Sequence, residues 1–200
     1  MNTPFEYGVP FSDLSDGDEH LNEEMLNSEL VYDGLFLKLY KDKISLPNGQ
    51  QAIREYLTHP GAVAIIPMLS DGNILLERQF RYPLKKSILE IPAGKLEYGE
   101  DSLECAKREL QEETGYTAKK WHLLGTIHPV ISYSTEFIDI YLAQDLLKGQ
   151  AKLDDEEFLD IFTANFAQMQ LWIRNGRITD VKTIISYYWL KDYLGSLSRD

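Results

Sequence analysis

The sequence predicts an α/β fold in which a mixed sheet packs between helices, with a small antiparallel β unit ahead of it. Three observations carry this. Short apolar runs rich in β-branched and aromatic residues recur between turn signals, one carboxylate-rich helix interrupts them near mid-chain, and two amphipathic helices close the chain.

Residues 1–28 are acidic and carry little periodicity, so they read as an arm. Residues 29–58 form the small β unit. ELVYDGLFLKLY gives two strands around Asp33 and Gly34, the sequence Leu46, Pro47, Asn48, Gly49 marks a turn, and QAIREYLTH is a further strand. Such a unit has edges to hide, and pairing with a second copy is one way to hide them. The main domain spans residues 59–200. GAVAIIPM reads as a buried strand that turns at Asp71, Gly72 and Asn73 into ILLERQFRY, a hairpin. SILEIPAG then leads into a glycine-bearing loop and the helix. WHLLGTI, FIDIYLA and LDIF are strands, the last opened by the charged loop at 154–157. Residues 166–174 and 180–194 are helices separated by Asn175 and Gly176.

Two hundred residues, 44% of them hydrophobic, suffice for one good-sized core. A net charge of −12 argues against a general nucleic-acid surface, which needs a basic stripe. Cys105 is the only cysteine, which excludes an intramolecular disulfide or a CxxC metal site and suits a small buried hydrophobe. Neither a leader-like apolar run nor a stretch long enough to span a bilayer occurs, so a cytoplasmic protein without membrane partners is expected.

The chemistry concentrates between Gly94 and Gly115. Residues three and four apart share a helix face, so Glu109, Glu112 and Glu113 project together, while Leu103, Ala106 and Leu110 can pack inward. Three carboxylates on one face repel one another unless something neutralises them. Oxygen ligands of this kind suit Mg²⁺, or Mn²⁺, which bind carboxylates together with substrate phosphates. Acidic helices are more often simply solvated. Here the spacing G-x5-E-x7-R-E-L-x-E-E-x-G is complete: Gly94, Glu100, Arg108, Glu109, Glu112, Glu113 and Gly115.

That pattern resembles the signature of the Nudix hydrolases, which cleave nucleoside diphosphates linked to another group. The departure is Tyr116, where the family usually carries an aliphatic residue. Outside the motif, YDGLFLKLYKDKISLPNGQQAIREYLTHPG and GAVAIIPML, LLERQFRYP and LEIPAGKLEYGED resemble the ADP-ribose pyrophosphatase branch, covering about residues 29–195. The resemblance implies a Nudix-type α/β/α sandwich, a homodimer paired through the N-terminal β unit, and Mg²⁺-dependent hydrolysis of ADP-ribose to AMP and ribose 5-phosphate. It makes Glu109 and Glu113 direct metal ligands, with Glu112 binding a second metal or a metal-bound water. The Ala93 carbonyl becomes a backbone ligand. Arg108 would hold a motif glutamate in place, Glu100 would support it, and Gly94 would let the loop fold tightly.

The branch takes its general base from an acidic loop, where either Glu156 or Glu157 stands. Arg78 and Arg81 are candidates for gripping the diphosphate or terminal ribose, although a strand-end arginine in a surface ion pair is equally ordinary. Tyr32, Phe36 or Tyr40 could face the adenine, from this subunit or its partner, and Glu136 lies in a substrate-facing loop. Another sugar nucleotide such as GDP-mannose is the nearest rival substrate, because the motif touches only the diphosphate. A non-catalytic sensing module is more remote, since no motif glutamate is lost.

Overall fold

The computed structural model describes residues 19–153 and 158–197. The chain divides into two compact units, Met1–Gly61 with His128–Phe137, and Ala62–Ile127 with Ile138–Asp200.

In the first unit, β1 (Glu24–Asp33), β2 (Lys38–Ser45) and β3 (Gln51–Thr58) form an antiparallel sheet in that order. Both expected turns are present. Gly34 N–H donates to Leu37 O at 2.9 Å. Gly49 takes φ +79°, a conformation that favours glycine, and its N–H donates to Leu46 O at 2.8 Å. β1 begins at Glu24 rather than 29, so the strand reaches into the stretch expected as an arm. Segment 128–137 joins this unit through Leu57, whose N–H donates to Tyr133 O and whose carbonyl accepts from Thr135 N–H.

In the second unit, β4 (Ala62–Pro67) is buried along its whole length. It pairs in parallel with β9 (Ile138–Lys148) and antiparallel with β7 (Ala93–Lys95), and β8 (Tyr116–Ile127) completes the mixed sheet, ordered β7-β4-β9-β8. The expected hairpin from β4 into β5 (Ile74–Arg81) does not form. The turn is there, with Leu69 N–H on Asn73 O at 2.9 Å, but only Met68 and Ile74 bridge. A strand has two edges, and both edges of β4 are taken. β5 pairs instead with β6 (Lys86–Glu90) and β10 (Leu159–Ala164) in a second, antiparallel sheet.

The period-2 alternation of strands explains the layers. Val63 and Ile65 of β4, with Tyr141 and Ala143 of β9, face Cys105, Ala106 and Leu110 of α1 (Ser102–Thr114). Ala64, Ile66, Ile140 and Leu142 face the other way, onto a core with Leu76, Ile91, Met169, Tyr187 and Leu190. Met169 belongs to α2 (Phe166–Arg174), Tyr187 and Leu190 to α3 (Val181–Leu197). A sheet covered on both faces needs apolar residues at every position, which is why GAVAIIPM shows no alternation. The result is the α/β/α sandwich.

Each helix start has a cap. Asp101 accepts from Leu103 and Glu104 N–H to begin α1, and Gly115 ends it at φ 73°. Asn165 and Gln168 form a reciprocal capping box for α2. Asp180 accepts from Thr183 N–H at 2.9 Å and Thr183 Oγ1 at 2.6 Å at the start of α3. Cys105 is buried as a hydrophobe, and burial pushes its thiol up to about 12.

Candidate active site

The short β7 strand lays the loop against α1. At Gly94 the approach is so close that a Cβ would overlap the Glu109 carboxyl group. Next to it, Ala93 N–H donates to Glu113 Oε2 at 3.1 Å, and Glu113 is only 3% exposed. The glycine lets the Glu109 carboxylate lie directly against the loop, and the loop backbone meets two of the three helix carboxylates.

Arg108 gathers the rest. Its Nε and Nη2 donate to the two oxygens of Glu100 at 2.9 and 3.0 Å, a bidentate pair. Its Nη1 donates to Glu109 Oε1 at 2.8 Å and Glu112 Oε2 at 3.0 Å. Arg108 holds the Glu100 carboxyl down at about 2, assisted by the Glu97 N–H on Glu100 Oε2. The Glu100 bonds in turn raise the Arg108 value and fix its charge.

The two arginines of β5 part company. Arg78 is exposed and paired with Asp160, directly opposite on β10. Arg81, with 40% of its side chain exposed, donates from Nε to Glu90 Oε1 at 2.7 Å. Glu90 is buried, and its other oxygen accepts from the Lys182 ammonium, which also lies 3.2 Å from Asp180. Glu77, fully buried, stands opposite Glu90 across the β5–β6 ladder. Burial works against the Arg81 charge, but the Glu90 bond and the fields of Glu90, Glu77 and Glu113 together raise its pKa.

Glu77, Glu90, Asp180 and Lys182 are absent from the sequence-based site. Two of them left a trace, since Glu77 and Glu90 are single acids inside apolar strand runs.

The other candidates lie in the first unit. Tyr32 is exposed on β1. Phe36 meets His59 edge-on at 5.3 Å, and Tyr40 stacks at 5.8 Å on Tyr56, its cross-strand partner. Glu136 places a carboxylate oxygen 3.9 Å from His59 Nε2. Glu156 and Glu157 lie outside the described residues.

Among the described residues no three His, Cys, Asp or Glu side chains make a ready-made metal cage. The donors nevertheless fit a hard divalent cation that takes a few protein oxygens and completes its shell with substrate and water. Glu109 and Glu113 converge on the Ala93–Gly94 backbone, and the neighbouring acids Glu77, Glu90 and Asp180 outnumber the cations Arg81 and Lys182.

A NUDIX domain matches residues 58–183, and a nucleoside diphosphate sugar hydrolase N-terminal domain matches residues 23–57. The chain belongs to the NUDIX hydrolase family. This Nudix chain is 40% identical over 171 residues to a methanol dehydrogenase activator of Bacillus methanolicus, covering 84% of the chain and 92% of that relative. It is 37% identical over 178 residues to an ADP-ribose pyrophosphatase of Bacillus subtilis (strain 168), covering 87% of the chain and 96% of that enzyme. Its Nudix fold superposes on a crystal structure of an ADP compounds hydrolase with a TM-score of 0.81. At 24% identity, that match covers 90% of this chain and 97% of the other.

Proposed function

We propose that this Nudix hydrolase splits the diphosphate of ADP-ribose, or of a related ADP-sugar, giving AMP and ribose 5-phosphate with Mg²⁺ as cofactor. The observation that carries the chemistry is the contact of Glu109 and Glu113 with the Ala93–Gly94 backbone. The substrate assignment is supported by the relatives named ADP-ribose pyrophosphatase.

Glu109, Glu113 and the Ala93 carbonyl would hold Mg²⁺ or Mn²⁺, with Glu112 available to a second ion or its water. When bound, such an ion offsets the diphosphate charge and activates a water. The protein's own part is orientation. Arg108, anchored on Glu100, fixes the carboxylates of Glu109 and Glu112. Arg81 bonds Glu90 through Nε, leaving its amino groups as donors for a phosphate. Arg78 is the weaker candidate, being paired with Asp160. Glu156 or Glu157 is the candidate base that takes the proton of the attacking water. Tyr32, Phe36 and Tyr40 are candidates for the adenine, and Glu136 for a contact with the substrate.

A homodimer is supported by β1, an edge strand whose ten residues are all exposed, among them Met25, Leu26, Leu30, Val31 and Tyr32. A cytoplasmic site of action suits a chain with one unpaired cysteine.

The test is to incubate the purified protein with Mg²⁺ and, separately, ADP-ribose, GDP-mannose and diadenosine polyphosphates, following AMP and GMP. ADP-ribose should be preferred, and Glu113→Gln should lower turnover by more than about a hundredfold. Preference for GDP-mannose would move the substrate and keep the mechanism. Binding of ADP-ribose without turnover of anything would make the chain a sensing module.

A further inference from the structure

Of the four-residue charge relay Arg81–Glu90–Lys182–Asp180, only Arg81 has a role in the hydrolase chemistry derived above. Lys182 is the second residue of α3, and its side chain is 10% exposed. That is an unfavourable place for a lysine. The N-terminal turn of a helix carries partial positive charge, which disfavours a cation. Burial of an ammonium group is costly unless it is paired. Helix stability alone does not account for it.

Its partners do. The ammonium lies between Asp180 and Glu90, and the Glu90 carboxylate passes the contact on, with its second oxygen on Arg81 Nε. Glu90 needs such a clamp, because directly across the ladder stands buried Glu77, and like charges in opposed positions push apart. The start of α3 is itself fixed to the end of β6. Ile91 N–H donates to Thr183 Oγ1 at 2.9 Å, and Thr183 Oγ1 donates to Asp180. Hydrogen bonds thus run from the helix start through Lys182 and Glu90 to Arg81, the most exposed member of the chain.

We propose that Lys182 is a positioning residue for the diphosphate site, holding Glu90 in the one orientation that presents Arg81 to the substrate. This rests on the reading of Arg81 as a diphosphate contact. Lys182 itself touches no substrate. Its effect appears in the affinity for the nucleotide sugar, through Arg81, while the carboxylates of α1 are untouched.

The test is a double-mutant cycle on ADP-ribose hydrolysis, with thermal midpoints recorded for every variant. Lys182→Met should raise KM about tenfold and leave kcat within about threefold, and Lys182→Arg should recover most of the KM. In an Arg81→Ala background, adding Lys182→Met should change kcat/KM by less than about twofold. Should Lys182→Met not fold, because Glu90 loses its counter-charge, the pair Glu90→Gln/Lys182→Met removes both charges and should show the same raised KM.

Equal losses from Lys182→Met in the wild-type and Arg81→Ala backgrounds would overturn the proposal, as would a lowered thermal midpoint with KM unchanged. An unchanged KM in Arg81→Ala would remove Arg81 from the diphosphate, and Lys182 with it, leaving the hydrolase assignment intact. A wild-type protein that releases no AMP from ADP-ribose would overturn both readings together.

Discussion

At the scale of single residues the site is governed by how acids are neutralised. Glu100 illustrates it. Its folded value of about 2 lies below its ordinary 4.5, so the unfolded chain takes up the proton more readily. The stability Glu100 supplies is therefore complete above about pH 4.5 and disappears as pH falls through about 2. Glu100→Gln should be less stable than wild type near neutral pH, and the gap should close as pH drops toward 2. Urea titrations across that range measure it, and a gap independent of pH would refute the assignment. Such residues were legible in the sequence because they fill the spaced positions of one motif on one loop and one helix, whose resemblance to the Nudix signature implied their roles. That holds for Gly94, Glu100, Arg108, Glu109, Glu112 and Glu113. Glu90 and Lys182 were not legible, because their meeting is created by the docking of α3, far along the chain from β6. Nothing in local periodicity announces a pair of that kind.

At the scale of elements, turns were readable and strand partnership in the second unit was not. The turn at Asp71, Gly72 and Asn73 formed as its residues dictate, with Gly72 at φ 81°, yet the strands beside it entered different sheets. A turn fixes the reversal of the chain. It does not fix which edges remain open, and β9 and β7 had claimed those of β4. The three residues of β7 carry too little pattern to be read as a strand at all. The attachment of α3 to β6 leads to a prediction at this level. Thr183→Val keeps shape but takes the acceptor from the Ile91 N–H, and Thr183 is fully buried. An unsatisfied buried donor costs about 1–3 kcal/mol, so the urea midpoint should fall correspondingly while Lys182 keeps its partners. A midpoint equal to wild type would mean that the N–H finds another acceptor.

At the scale of the whole molecule, the exposed apolar edge strand β1 is what supports the proposed homodimer. Light scattering after size exclusion should give the mass of two chains. Leu30→Asp, on the exposed β1, should shift the protein to one chain without unfolding it. A wild-type mass of one chain would retire the dimer. The sandwich itself was legible, since unbroken apolar strands between amphipathic helices have few other ways to hide both faces. The parallel pairing of β4 with β9 has a further consequence, one that concerns biosynthesis. The β1–β3 sheet has all its strands once Thr58 has left the ribosome, whereas Ala62 must wait for Ile138. Contacts so distant along the chain form late and slowly. Until then β4, with apolar residues on both faces, has at most the three residues of β7 beside it, and the nascent chain is at its most vulnerable to aggregation while residues 68–137 are still being added.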